Sequence, residues 1–121
     1  MTEQRKQEPA MRYDKGKLRW SLLPLQCLVE LVRVYNWGTT KYADDNWKNG
    51  MSWTRVYDPM MRHIEAWWLR NETVDAESGI HHLAHVAWNV FTLLWYSWHR
   101  KEYDDRSTEC FVQPKDQPAL K

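Results

Sequence analysis

The apolar residues of this chain recur at helical spacing in three segments. In the first segment, Leu25, Leu28 and Val32 are three or four residues apart, so they lie on one face of a helix. Gly38 can end that helix, because glycine adopts the left-handed backbone conformation without strain. The pattern therefore predicts a first helix over about residues 22–37.

A polar stretch at residues 39–53 follows, and its Asn-Gly pair and its Asp and Asn residues predict a structured loop. The second helix is expected to begin at or before Asp58-Pro59, and Asp58 is a suitable N-cap that leaves Pro59 at the first helical position. The alternative is a start near Trp53 with a kink at the proline. In either case the apolar pattern predicts an end near Asn71.

The third segment is the longest, and Asp75 is expected to cap its helix. Apolar residues occupy every side of this helix, and such a helix is normally buried on all sides. A chain with about 80 ordered residues buries a small share of its surface and cannot easily enclose it. We therefore predict a homo-oligomer with the third helix near the interface. The alternative is a monomer whose loops fold back over that helix.

These elements predict an all-α fold. We expect a small bundle of about three main helices, with a structured loop between the first two, completed by oligomerisation. Residues 1–12 are predicted to be a flexible N-terminal arm, 13–103 a single helical domain and 104–121 a loose C-terminal tail, because both ends are polar.

The near balance of positive and negative residues argues against two classes of partner. The 17 Lys and Arg residues against 16 Asp and Glu residues give no general attraction to nucleic acid or to an anionic membrane. We therefore expect neither a membrane nor sequence-specific nucleic acid as a partner. Cys27 lies in an apolar run and Cys110 in a polar one, which argues against a disulfide and for a reducing compartment, the cytoplasm. The first twelve residues lack the apolar core of a signal peptide.

Carboxylates and imidazoles are concentrated at the start of the third segment. His82 and His85 are three residues apart and share a helical stripe, while Asp75 and Glu77 lie where the helix dipole favours anions. Such groups converging at one helix end suit a divalent cation. The alternative is that the histidines are ordinary core residues and that Asp75 is only a cap.

His63 lies on the predicted second helix beside Arg62. If the second and third helices pack antiparallel, His63 comes to the level of His82 and His85. A third imidazole and a guanidinium would then join the same pocket. The alternative is that Arg62 pairs with a carboxylate such as Glu65 on the helix surface.

A third group of residues is basic and aromatic, and the chain has nine tryptophans. Lys and Arg bind phosphate oxygens, while Tyr and Trp stack on bases. The candidate nucleotide-binding residues are Lys15, Arg19, Lys41, Tyr42, Asn46, Trp47 and Arg62. The alternative is a solvated loop whose aromatic residues cover the helices.

Four motifs carry a family resemblance: R-Y-D-K-G-K-L-R-W at 12–20, K-Y-A-D-D-N-W at 41–47, R-H at 62–63 and D-A-E-S-G-I-H-H-L-A-H at 75–85. Together they resemble a phage-associated family, the N-terminal domain of dATP/dGTP diphosphohydrolases. The resemblance implies a mainly helical fold and hydrolysis of a purine deoxynucleoside triphosphate to the monophosphate and pyrophosphate. The functionally related all-α pyrophosphohydrolases hold magnesium through an E-x-x-E pair on one helix and E-x-x-D on another, whereas here histidines occupy the corresponding region.

The resulting hypothesis is a metal-dependent nucleotide hydrolase that uses Mn, Co, Zn or Mg. Its catalytic candidates are His63, Asp75 and Glu77, and its metal-ligand candidates are Asp75, Glu77, His82 and His85. Lys41, Arg62 and either Lys15 or Arg19 would neutralise the triphosphate, and Trp47 or Tyr42 would stack on the base. The alternative function is a non-catalytic phage protein that sequesters a signalling nucleotide of host defence. A third interpretation is a helical oligomer that serves as a protein interaction module.

Overall fold

The computed structural model describes residues 7–107, which form three α-helices. These are α1 (Leu25–Gly38), α2 (Thr54–Trp68) and α3 (His82–His99). Short 3-10 turns lie at Trp20–Leu22, Asn46–Asn49 and Lys101–Tyr103. This part of the chain contains no strand, only an isolated bridge between Val74 and His81. The predicted all-α class is confirmed.

Helices α2 and α3 pack antiparallel. Val56, near the start of α2, is buried with Tyr96, near the end of α3. Further along α2, His63 meets His82 at the start of α3. The sequence predicted this arrangement from a shorter turn than the connection of residues 69–81 that joins the two helices. Helix α1 also packs against α3.

The start of α2 differs from the preferred expectation. The helix begins at Thr54, so the predicted cap at Asp58 is wrong and the alternative start near Trp53 is confirmed. Tertiary contacts explain the earlier start, because Trp53 is buried and its backbone N–H donates to the carbonyl of Tyr103. Pro59 lies inside the helix.

The predicted cap of α3 is also wrong. The helix begins at His82, and His81 is its N-cap, whose Nδ1 accepts a hydrogen bond of 3.0 Å from the backbone N–H of Leu83. Asp75 instead closes a tight turn, in which its carboxylate accepts the N–H of Ser78 at 2.9 Å. That turn includes Gly79 at φ +72°, a conformation that glycine adopts without strain.

The buried stripe of α3 is largely polar. It contains His82, His85, Asn89, Thr92 and Tyr96, together with Ala84. Several apolar side chains of α1 and α3 remain about half exposed; they are Val29 and Val32 of α1 and Val90, Phe91 and Leu94 of α3. We call these five residues the outer apolar face. A single chain therefore leaves part of α3 uncovered, and the homo-oligomer that would cover it stays a prediction.

The segments at the two ends of the helical domain differ in their contacts. Residues 7–24 are exposed. After α3, Asp105 accepts hydrogen bonds from the backbone and the hydroxyl of Thr54, and the Arg106 guanidinium lies 4.7 Å from the ring centre of Trp53. The rest of the predicted arm and tail, 1–6 and 108–121, lies outside the described residues. No helix between residues 7 and 107 has the length and apolarity needed to cross a membrane.

Candidate metal and nucleotide site

Three imidazoles meet between α2 and α3. The Nδ1 atoms of His63 and His82 lie 2.8 Å apart. The rings of His63 and His85 stack, with ring centres 4.5 Å apart and planes 5° from parallel. His82 and His85 are each only 5% exposed. The antiparallel packing thus places one imidazole from α2 against two from the first turn of α3.

Asp75 adds a carboxylate to this cluster. One ligand atom each from His63, Asp75 and His82 lies within 4.8 Å of the other two, the one such group among residues 7–107. Two nitrogens that bind one ion at about 2.1 Å are about 3.0–3.4 Å apart, near the separation of the two Nδ1 atoms. The other ring nitrogen of His82, Nε2, is buried without a hydrogen-bond partner among the described residues, and only one of the two nitrogens can bind a given ion. The donor set fits a divalent cation.

Ser78 connects Asp75 to His85 and was not singled out by the sequence analysis. Its Oγ lies 2.7 Å from His85 Nε2 and accepts the backbone N–H of Ile80 at 3.2 Å. His85 Nε2 lies farther from Asp75 Oδ2, at 3.8 Å. His85 is therefore held by Ser78 and stacks on His63. It positions the His63 ring and does not belong to the three-residue donor group. Ser78 is a positioning residue, whose role depends on a turn that no periodic pattern reveals.

Glu72 is a second residue that the sequence analysis missed. Its Oε2 lies 3.5 Å from the buried His82 Nε2, and its Oε1 accepts a hydrogen bond of 3.2 Å from Arg70 Nε. The connection carrying Glu72 runs beside the start of α3, because the carbonyl of Thr73 accepts the N–H of His82 at 3.0 Å. A second carboxylate thus borders the cluster.

Burial keeps two of the imidazoles neutral near pH 7. It lowers the pKa of His63 from 6.5 to about 4, and the neighbouring charge of His85 acts in the same direction. Burial also lowers the pKa of His85. Burial would raise the pKa of Asp75, but hydrogen bonds from Ser78 outweigh it and lower that pKa. Neutral imidazoles beside an ionised carboxylate are the protonation states that metal binding requires.

Glu77 lies apart from the three-residue donor group. Its carboxylate forms an ion pair with Lys41 at the protein surface. Lys41 Nζ also lies 4.3 Å from the ring centre of Trp37, whose edge meets the His85 ring at a centre separation of 5.5 Å. The Trp37 ring thus contacts both Lys41 and His85, and Glu77 pairs with Lys41.

The other candidate nucleotide-binding residues are spread over the surface. Arg62 is exposed on α2 next to His63, and Lys15 and Arg19 lie in the exposed segment before α1. Tyr42 and Asn46 are exposed in the loop between α1 and α2. Of this set, Arg62 is next to His63 on α2 and its charge acts on that imidazole, while Lys41 is linked to His85 through the Trp37 ring.

Trp47 packs within the protein. Its ring contacts the rings of Tyr35, Trp88, Trp95 and Tyr96. It is also packed against the buried cluster of Trp53, Val56 and Tyr96. These contacts give Trp47 a role in the core of the bundle.

Two comparisons with known proteins find a match, and both matches carry the same description. A family model described as "dATP/dGTP diphosphohydrolase, N-terminal" matches residues 7–106. A protein of Salmonella phage PMBT28 named dATP/dGTP diphosphohydrolase is 33% identical over 96 residues, which are 79% of this chain and 32% of the phage protein. The chain thus spans about a third of that relative's length. No solved structure matches the chain.

Proposed function

Because the chain belongs to the family of dATP/dGTP diphosphohydrolase N-terminal domains, we propose that it takes part in metal-dependent hydrolysis of a purine deoxynucleoside triphosphate. Water attacks the phosphoanhydride link between the α- and β-phosphates, and the products are the deoxynucleoside monophosphate and pyrophosphate. The name of the phage relative supports the substrate class. The histidine cluster supports the metal.

The observation that carries the proposal is the convergence of His63, Asp75 and His82 on one point. Two imidazoles with one carboxylate favour Mn, Co or Zn over Mg, which prefers oxygen ligands. An ion bound there would polarise a phosphate oxygen and lower the pKa of a bound water. Glu72, beside the other ring nitrogen of His82, would accept the Nε2 proton and orient that ring for an ion at Nδ1.

The protein's own residues prepare the site for an anionic substrate. Ser78 holds Asp75 and His85, and His85 in turn fixes the ring plane of His63 by stacking. Arg62 and Lys41 provide positive charge close to the imidazoles, which would neutralise the polyphosphate. To bind phosphate, Lys41 must give up its ion pair with Glu77. The free-energy cost is small because this ion pair is exposed.

The test begins with chelated protein that is supplied with Mn, Co, Zn or Mg separately. Each sample receives dATP, dGTP, dCTP or dTTP, and the monophosphate and pyrophosphate are quantified. We expect purine-selective cleavage with at least one ion and its loss in a His63→Gln, His82→Gln double variant. His99→Gln, which removes an exposed imidazole at the other end of α3, is the matched control. Full activity in the double variant would refute the metal assignment.

The same assay separates hydrolysis from sequestration. Protein incubated with nucleotide and metal is denatured, and the released ligand is identified by mass. Cleaved nucleotide supports the hydrolase. Intact nucleotide, retained in stoichiometric amount, would indicate the sequestering protein and would contradict the proposed reaction.

A further inference from the structure

The end of α2 borders an open cavity of about 390 Å³, lined by Trp67, Trp68, Asn71 and Thr73. The Trp68 side chain is 69% exposed, although it is among the largest apolar groups of the chain. Its ring centre lies 5.6 Å from that of Trp67, with the planes tilted by 45°. An exposed indole at a concave surface provides a flat apolar face for a planar ligand.

This cavity adjoins the histidine cluster on two sides. Trp67 follows His63 by four residues on α2, so the two side chains are one turn apart on the same helical face, about 5–6 Å between their Cβ atoms. Thr73 accepts the backbone N–H of His82 through its carbonyl. A ligand in the cavity would therefore lie within about one helical turn of the proposed metal donors.

One cation, Lys41, is linked to the histidine cluster through α1. Contacts run from His85 to Trp37 and from Trp37 to Lys41, on the side of α3 that faces α1. The aromatic cavity and Lys41 are therefore both linked to the metal donors, the cavity through α2 and Lys41 through α1. A nucleoside triphosphate has a corresponding set of parts: a planar base, an α-phosphate and a chain of further phosphates.

We propose that the cavity at the end of α2 is the nucleobase site, in which a purine stacks on Trp68 and the Asn71 amide hydrogen-bonds its edge. The identity of the ligand rests on the proposed function. Asn71 has the left-handed backbone φ of +56°, and its side chain borders the cavity. An amide donates and accepts at once, which complements the N7 acceptor and N6 donor of adenine. This assignment makes Trp68 the stacking residue, in place of Trp47 or Tyr42, which were expected from the sequence.

The first test separates binding from catalysis. Trp68→Leu is expected to raise KM for dATP by about 10-fold with kcat changed by less than about 3-fold, because stacking on the base is lost and the metal donors are kept. Trp98→Leu is the matched control, since this indole is 64% exposed and lies about 20 Å along α3 from His85. Tyr42→Leu tests the loop alternative. An unchanged KM in Trp68→Leu, or a rise in KM confined to Tyr42→Leu, would overturn the proposal.

Asn71→Ala tests the contact with the base edge. We expect kcat/KM for dATP to fall by about 10-fold, because a hydrogen-bonded edge is lost, and kcat/KM for dGTP to fall less. An equal fall for both purines would contradict the edge contact.

A second test needs neither metal nor hydrolysis. In the presence of a chelator, the protein is titrated with dAMP or with deoxyribose 5-phosphate, while the indole N–H signals are followed by NMR and assigned with the Trp67→Leu and Trp68→Leu variants. We expect dAMP, and not the sugar phosphate, to shift the Trp67 and Trp68 signals. Such shifts in a protein that hydrolyses nothing would leave the base site intact and refute the proposed reaction. Hydrolysis without these shifts, and with unchanged KM in Trp68→Leu, would refute the base site alone.

Discussion

His63 Nδ1 and His82 Nδ1 face each other at 2.8 Å, across the contact between α2 and α3. At this distance at most one of the two nitrogens carries a proton, because two N–H groups would collide and repel. A divalent ion replaces that proton if both lone pairs turn to it. The pair is therefore the most direct place to test for metal.

Removing either nitrogen should weaken metal binding. We expect His63→Gln and His82→Gln each to reduce the affinity for Mn or Zn by on the order of 100-fold, since each removes one of three donors. Isothermal titration of chelated protein measures this, and His99→Gln should bind as the parent does. Equal affinity in all three variants would show that the ion, if bound, lies elsewhere.

Glu77 and Asp75 should differ in their effect on the metal. Glu77 pairs with Lys41 outside the donor group, so we expect Glu77→Gln to change metal affinity by less than about 3-fold. Asp75→Asn removes the charged donor and should reduce that affinity by on the order of 100-fold. The same titration measures both variants. Loss of binding in Glu77→Gln would restore Glu77 to the ligand set expected from the sequence.

Acid should destabilise the metal-free protein. The pKa of His63 is about 4 in the fold against 6.5 when solvated, so the unfolded chain binds more protons between these values. The free energy of unfolding should therefore fall as the pH is lowered from about 6.5 to about 4. We expect His63 to contribute about 1–2 kcal/mol of this loss, after allowance for its partial exposure.

Urea unfolding in the presence of a chelator, at several pH values, measures this dependence. The His63→Gln variant should show a shallower pH slope, because its side chain does not titrate. A parent protein whose stability is constant between pH 4 and 6.5 would contradict the predicted effect of burial.

The outer apolar face should mediate self-association. Half-exposed Val32, Phe91 and Leu94 lie on adjacent helices, and covering them would remove apolar surface from water. We expect the protein to be an oligomer by light scattering and Phe91→Glu to shift it to a monomer. Gln26→Glu, a charge on the exposed part of α1, should leave the mass unchanged. A monomeric parent would contradict the predicted oligomer.

Local patterns predicted the elements better than their boundaries. Periodicity identified all three helices, but the caps proposed at Asp58 and Asp75 are wrong. At Asp58 the local signal was outweighed by a long-range contact, and at Asp75 it was outweighed by a competing local turn. Trp53 anchors an earlier start of α2, and the bonds of Asp75 with Ser78 and Ile80 close a turn before α3.

The types of residue that could do chemistry were visible in the sequence, and their partners were not. Spacing put His82 and His85 on one stripe, and the assumption of antiparallel packing predicted that His63 would reach them. Ser78 and Glu72 carry no periodic signal, because a turn and a connection bring them to the site. Composition equally could not tell Trp47, packed among four aromatic rings, from the exposed Trp68.

The sequence by itself determined that the chain is helical, that it has three segments with apolar residues at helical spacing and that imidazoles, carboxylates and indoles are its chemically active groups. Such features depend on neighbours three or four residues apart, which a linear pattern contains. Only the tertiary structure decided that Asp75 faces His63, that Glu77 pairs with Lys41 and that Trp68 stays open to solvent. Those outcomes depend on how side chains from different helices compete for the same space and the same hydrogen bonds.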